Sequence, residues 1–352
     1  MKNFGKYLTY RLKESRTYFL IITAILSVIA ISAEIFIYEQ DGLPIGINTS
    51  VDGLYSMFAI LVFAVPIYEF SGIMNRRNAD TVFFLQIDKW HRTLAHYLTA
   101  TVTVLSSMIV SFSILYIRLV FMATEGGIVK ETFGFASTLQ LLYAFLVSLV
   151  FAVISITITS FTFCCANTVL DGGICSFMWL FTPALAWTVI EELIRGSEVR
   201  SQVVGKLLLG IEISYLIPGF NILTVLGEFD SIFYVKRDFA KDFMRNDVLI
   251  PCAILLALAI LAFVGMYLLS RKKKAEKIGD ISDSWFSYKL LIPLYGIILA
   301  YLLGAELIIV NIFLLVAAFG GYVIYRRNFK LHKSDIIMMI VIAVISMIEI
   351  RL

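Results

Sequence analysis

The chain has 352 residues, of which 60% are hydrophobic and 16% are charged, and its mean hydropathy is +0.88. A soluble domain of this size does not carry so much apolar surface, so the composition excludes one and indicates a membrane protein. The net charge of +3 is small, and nucleic acid is not an expected partner. At about 20 apolar residues per spanning helix, the chain has room for about eight or nine spans.

Residues 1–16 are predicted to form an amphipathic helix in the membrane interface, followed by a first span at residues 18–37. A helical wheel places four apolar residues opposite four basic ones: Phe4, Tyr7, Leu8 and Leu12 against Lys2, Lys6, Lys13 and Arg16. A basic tail that only sets the orientation is the alternative. The first span lacks the small-residue cleavage site of a signal peptide, so it is expected to be retained.

Eight further spans are predicted along the rest of the chain, at residues 54–73, 94–122, 136–163, 174–194, 248–270, 290–303, 307–325 and 336–350. Residues 136–194 are about three times too long to be one span, and the glycine-bearing stretch 167–173 is the expected break. Lys and Arg then cluster in every second loop, as the positive-inside rule requires. This pattern predicts a cytoplasmic N-terminus and an external C-terminus.

The stretch 195–247 is predicted to be an external insertion before the sixth span. Its apolar middle, residues 207–226, is too short to cross the membrane twice and is interrupted by Pro218 and Gly219. This pattern favours a re-entrant hairpin in the outer leaflet, with Pro218 and Gly219 as a candidate external gate. An interfacial helix followed by a loop fits the pattern equally well.

Charged residues are sparse inside the predicted spans. Glu69 lies near the end of the second span, where its carboxylate is expected to reach the interface or face a cavity. Pro66, one turn earlier, is expected to kink the helix that packs there. No span carries the central acidic cluster of a proton- or sodium-driven carrier.

Residues 74–92, between the second and third spans, are too polar to cross the membrane and too apolar for a simple linker. Asn78 or Asp80 can cap a short helix there. The helix would present an apolar knob made of Val82, Phe83, Phe84 and Leu85. Burying two aromatic rings in a partner's groove supplies several kcal/mol, so this knob predicts a firm contact with a second protein.

In this segment the chain resembles the permease subunits of type-2 ABC exporters, especially a Gram-positive branch with extra C-terminal spans. The family pattern is R-R-x-x-x-D/E, an apolar pair, and then L-P-I-S-R. Five residues of this chain correspond to it, namely Arg76, Arg77, Asp80, Leu85 and Ile87, with Asp80 one residue nearer to the arginines than the pattern places it. Lys89 replaces the arginine, and Gln86 stands where the family has proline, so the end of the helix is not fixed by the pattern.

A second similarity follows the sixth span, where residues 271–279 read RKKKAEKIG and are similar to the R-R-x-x-E-x-x-G of that branch. The resemblance also covers the N-terminal helix, the six spans to Ser270 and the external insertion. It implies an all-α fold with a six-span permease core, residues 1–272, and a three-span C-terminal extension, residues 273–352.

The resemblance further implies that residues 74–92 are a coupling helix that docks on a cytoplasmic ABC ATPase. It assigns this contact to seven residues: Arg76, Arg77, Asp80, Val82, Phe83, Phe84 and Leu85. It implies a second permease copy or a sister permease as partner and a location in the bacterial cytoplasmic membrane. The expected cargo is a hydrophobic or amphipathic compound, such as a peptide or an antibiotic.

The sequence predicts no enzyme. It contains no G-x-x-x-x-G-K-[ST] motif, so ATP must be hydrolysed by another subunit. No cofactor, metal or catalytic residue is expected, because no span combines a base with a nucleophile and because His91 and His96, five residues apart, fall on different faces of a helix. An ATP-independent secondary transporter or channel is the alternative, and it predicts internal repeats and broken helices near the membrane midplane.

Overall fold

The computed structural model describes residues 2–32, 35–40, 43–49, 52–74, 87–125, 135–195, 215–227, 246–273, 275–280, 282, 284–303, 308–326 and 328–349. These residues form long helices and one short antiparallel hairpin. Seven of the helices are long and apolar enough to cross a membrane. The prediction of a polytopic α-helical membrane protein is therefore confirmed.

Each predicted span lies on a helix, and one short helix lies between the fifth and sixth spans. In chain order the helices are α1 (Lys2–Ser32), α2 (Asp52–Met74), α3 (Lys89–Glu125), α4 (Phe135–Cys165), α5 (Val169–Arg195), α6 (Phe220–Gly227), α7 (Asn246–Lys272), α8 (Leu290–Leu303), α9 (Ile308–Arg326) and α10 (Lys333–Glu349). The predicted eighth and ninth spans, α9 and α10, have 19 and 17 residues and are not among the seven long apolar helices.

The prediction that the first span extends to Ile37 is wrong. Helix α1 ends at Ser32, and strand β1 (Ile35–Gln40) follows and pairs antiparallel with β2 (Leu43–Thr49). Ile35, Phe36 and Ile37 are as apolar as the span, so hydropathy does not mark where the helix stops. Their β-branched and aromatic side chains favour a strand.

The predicted interfacial helix and the first span form one uninterrupted helix. Helix α1 has 31 residues, a length of about 46 Å, whereas the hydrocarbon core is about 30 Å thick. Tyr7 is buried while Lys6 and Lys13 are exposed, as the helical wheel predicts. The structure shows no break at which a helix in the interface would turn into the bilayer.

Contacts between helices show that consecutive spans alternate in direction. Helices α1 and α3 run parallel, because Tyr7 contacts His96 and Thr23 contacts Ser107 further along both helices. Helices α3 and α4 run antiparallel, because Tyr97, near the start of α3, is hydrogen-bonded to Thr157, near the end of α4. An alternating bundle of this type is what a chain that crosses a membrane repeatedly requires.

Several helix ends that flank predicted cytoplasmic loops meet at one end of the bundle. The rings of Phe70 in α2 and Phe163 in α4 have centroids 6.1 Å apart. Lys273, just after α7, donates hydrogen bonds from Nζ to the carbonyl oxygens of Phe163 and Ala166, at 3.1 and 2.9 Å. We call this end, at which α1, α3 and α5 begin and α2, α4 and α7 end, the basic end.

The buried apolar side chains form two separate cores. The larger core takes residues from α1 to α7, and the smaller one is built from Ala300, Leu314, Ala318 and Ile342 of α8 to α10. An irregular helical turn, Trp285–Lys289, leads into α8 and joins the two parts. There the Tyr288 hydroxyl donates to Asp171 of α5 at 2.8 Å. The ring of Tyr288 also lies 5.6 Å from that of Tyr325, so the end of α9 is at the basic end as well.

Candidate functional site

A buried carboxylate, Glu69 of α2, holds the basic end together. Its side chain is 0% exposed, and its Oε2 atom lies 2.6 Å from Nη2 of Arg11 in α1. The hydroxyl of Tyr18, two turns further along α1, donates a hydrogen bond to Oε1 of the same carboxylate. Both carboxylate oxygens therefore have hydrogen-bond partners. A buried carboxylate without such partners would destabilise the folded state by several kcal/mol.

The third helix joins this carboxylate through His96 of α3. Nδ1 of His96 lies 3.3 Å from Oε2 of Glu69, and Nε2 lies 3.0 Å from the hydroxyl of Tyr7. An ionised carboxylate only accepts hydrogen bonds, so Nδ1 carries a proton; in the neutral ring Nε2 then accepts the Tyr7 hydroxyl proton. We call Tyr7, Arg11, Tyr18, Glu69 and His96 the Glu69 network.

The expectation that Glu69 reaches the interface or faces a cavity is wrong. Its carboxylate turns inward because a guanidinium and two hydrogen-bond donors surround it there. Arg11 is also held by Glu14 of its own helix, whose Oε2 atom lies 2.6 Å from Nη1. Glu14 is 50% exposed, so this second ion pair is weak and the one with Glu69 fixes the guanidinium.

The Glu69 network clamps both helices that lead into the predicted coupling segment. Helix α2 ends at Met74 and α3 begins at Lys89, so residues 89–92 belong to α3 and not to a loop. Trp90, in the first turn of α3, packs edge-on against Phe263 and Tyr267 of α7, with ring centroids 5.7 and 5.1 Å apart. Side-chain contacts therefore join α1, α2, α3 and α7 next to Met74 and Lys89.

The residues predicted to contact an ATPase lie outside the described residues. These are Arg76, Arg77, Asp80, Val82, Phe83, Phe84 and Leu85. Of the segment 74–92, the structure describes Met74 and residues 87–92. Asp88 precedes the first turn of α3, and its Oδ2 atom lies 3.3 Å from Nδ1 of His91. The coupling helix thus stays a prediction, with its two flanking helices placed at the basic end.

Pro218 and Gly219, the candidate gate, lie at mid-depth in the bundle. Gly219 has a φ of 89° and is packed so closely against Phe63 that a Cβ atom would overlap the ring. Phe63 is the middle residue of α2. Phe220, the next residue, has its ring 6.4 Å from that of Phe181, close to the middle of α5. The contacts with α2 and with α5 therefore both place this turn halfway along the spanning helices.

The turn leads into α6, an eight-residue helix about 12 Å long that packs on α2 and α4. Its geometry is fixed by Asn221, which is 0% exposed and accepts the Gly219 N–H at 3.0 Å. A break at mid-depth fits the predicted re-entrant segment, but residues 196–214 and 228–245 lie outside the described residues, so the re-entrant and interfacial alternatives both stay predictions.

The Glu69 network is the main feature that sequence reasoning missed. Tyr7 lies on the apolar side of the helical wheel, and Arg11, four residues later, lies on the same side. The prediction that His91 and His96 fall on different faces of a helix is confirmed, because His91 lies beside Phe4, with ring centroids 5.3 Å apart, whereas His96 contacts Glu69. An arginine on an inward helix face was the signal that could have found the network.

Comparison of the chain with protein-family models, with curated proteins and with solved structures finds no match.

Proposed function

We propose that this chain is the membrane-spanning subunit of an ATP-driven ABC transporter that exports a hydrophobic or amphipathic compound. The proposal rests on the motif resemblance around residues 76–89 and on the multi-helix bundle. A nucleotide-binding motif is absent from the whole sequence, so a separate cytoplasmic ATPase supplies the energy. A second permease copy or a sister permease completes the translocation path, in the bacterial cytoplasmic membrane.

One observation carries the proposal furthest, and it is the clamp at the base of the predicted coupling segment. Glu69 and His96 lie one to two turns from the two ends of this segment, and both are joined to α1. A permease driven from outside needs such a stiff junction, because force applied to a short cytoplasmic segment must move several helices at once. Arg76, Arg77, Asp80 and the apolar knob, residues 82–85, provide the contact.

Co-purification with the ATPase tests this proposal. Changing Phe83 and Phe84 together to Asp places two charges in the proposed contact and should abolish co-purification with the cognate ATPase subunit. Phe329 is a matched control, because it is 78% exposed in the loop between α9 and α10 at the same end of the bundle. Phe329→Asp should leave co-purification intact. If the double variant still co-purifies, the coupling assignment is wrong.

A secondary transporter or channel that works alone is the second candidate, and the mid-depth turn at Pro218 and Gly219 favours it. Broken helices at this depth are typical of such carriers, and a buried Glu–His pair can carry a proton. The Glu69 network lies at the basic end, however, whereas carrier sites lie near the midplane.

The two candidate functions predict different rates of proton leak in vesicles that contain this chain alone. A proton-coupled carrier or channel would speed the decay of an imposed pH gradient, read with a pH-sensitive dye in the lumen, and Glu69→Gln would abolish the effect. The ABC proposal predicts the same decay as in protein-free vesicles.

A further inference from the structure

The turn before α8, the end of α9 and the start of α10 line an open cavity of about 770 Å³ at the basic end. Its back wall contains Tyr322 and Tyr325, which are 2% and 7% exposed. A cavity of this volume is within the range of small-molecule sites, about 300–1,000 Å³. None of its described lining residues belongs to the Glu69 network, so that network does not account for it.

The rim of the cavity is basic. Lys289, just before α8, and Lys333, at the start of α10, line it together with His332. All three side chains are exposed to the cavity and its surroundings. Among the described lining residues one is acidic, Asp335, which is 5% exposed and whose carboxylate accepts the His332 N–H at 3.1 Å and the Ser334 hydroxyl at 3.3 Å. The carboxylate therefore caps α10, and the lining keeps two lysines against this one carboxylate.

The mouth of the cavity continues into an apolar surface. Trp285 and Met338 belong to the lining and are 62% and 40% exposed. Ile337 and Val341, on the same helix as Met338, are also exposed, at 58% and 36%. An exposed tryptophan at the end of a span is typical of the membrane–water interface. The cavity therefore presents cations to one part of a ligand and apolar side chains to another.

We propose that this cavity is a binding site for a phosphate group, held by Lys289 and Lys333, and that the group is the headgroup of an anionic phospholipid. Basic pockets between spanning helices recognise such headgroups, because ammonium groups complement the phosphate where water is partly excluded. The acyl chains lie along the exposed apolar side chains of α10. The site is independent of the transport mechanism and holds for either candidate function.

Native mass spectrometry of the full chain in detergent tests the site with three probes: phosphatidylglycerol, phosphatidylcholine and inorganic phosphate. The wild type should bind phosphatidylglycerol more tightly than phosphatidylcholine, and Lys289→Gln with Lys333→Gln should weaken phosphatidylglycerol by about 20- to 30-fold, since each lysine near the membrane surface contributes about 1 kcal/mol. Lys272→Gln with Lys330→Gln is the matched control, because both residues are exposed and neither lines the cavity.

The phosphatidylglycerol and inorganic phosphate experiments distinguish a lipid headgroup from free phosphate as the ligand. If inorganic phosphate at millimolar concentration displaces phosphatidylglycerol from the wild type, free phosphate is the ligand and the headgroup assignment is overturned. If the cavity variant binds phosphatidylglycerol as tightly as the control variant, the site itself is refuted. Lys289→Arg with Lys333→Arg keeps the charge and should retain binding, which excludes misfolding as the cause of a loss.

Discussion

Arg11 and Glu69 are 58 residues apart in the sequence, yet Nη2 of Arg11 lies 2.6 Å from Oε2 of Glu69 in the interior of the bundle. The arginine side chain is 15% exposed and the carboxylate is fully buried. A buried ion pair of this type fixes how α1 sits on α2, because either charge without the other is poorly solvated there.

Glu69→Gln should lower the free energy of unfolding by about 3 kcal/mol, because the guanidinium of Arg11 loses its buried counter-charge. Denaturant titration of the purified chain in detergent measures this change. Glu14→Gln is the control, since Glu14 is 50% exposed and pairs with the same arginine. Its effect should be within about 0.5 kcal/mol.

Arg11→Met combined with Glu69→Met should be less destabilising than Glu69→Gln alone, because two apolar side chains leave no buried charge unpaired. The same titration compares them. If the double variant loses as much free energy of unfolding as Arg11→Met and Glu69→Met lose in sum, the two residues do not interact.

Gly219→Ala should destabilise the turn before α6 by about 2 kcal/mol, because φ is positive there and the new methyl group meets Phe63. Phe63→Ala in the same chain should recover the steric part of this loss. Gly72→Ala is a matched control in α2, where a Cβ atom meets nothing within 4 Å. Thermal unfolding in detergent separates the three variants, and equal midpoints for Gly219→Ala and Gly72→Ala would refute the packing described here.

Lys273→Met should weaken the α4–α5 turn, because the ammonium donates to two carbonyl oxygens at the end of α4. The expected loss is about 1–2 kcal/mol, since the residue is partly exposed. Lys272→Met, at the neighbouring exposed position, should have almost no effect. Hydrogen exchange at the backbone of residues 166–168 provides the readout, and similar exchange in both variants would exclude the capping role.

Much of the fold could be predicted from the sequence, because a spanning helix needs only length and apolar composition. The predicted span at residues 290–303 coincides with α8, and the break predicted at residues 167–173 overlaps the turn between Cys165 and Val169. The basic residues after α7 lie beside that turn, as the alternation of loops requires. These features depend on residues that are close together in the chain, so they can be predicted from a single sequence.

Features that depend on distant partners could not be predicted in this way. Glu69 looks like a residue at a span end until Arg11 and His96 are known to face it. The depth of Gly219 follows from its contact with Phe63, more than 150 residues earlier in the chain. Ile35 to Ile37 continue the hydropathy of α1, and only their pairing with β2 shows that the helix has ended.

The central claim is that residues 76–85 face the cytoplasm, where an ATPase can hold them. Two-sided thiol labelling tests it most directly, with Asp80→Cys placed in a chain whose four native cysteines, Cys164, Cys165, Cys175 and Cys252, are replaced by Ala. A membrane-impermeant maleimide should label residue 80 in inside-out vesicles and not in intact cells. Labelling in intact cells would contradict the whole account.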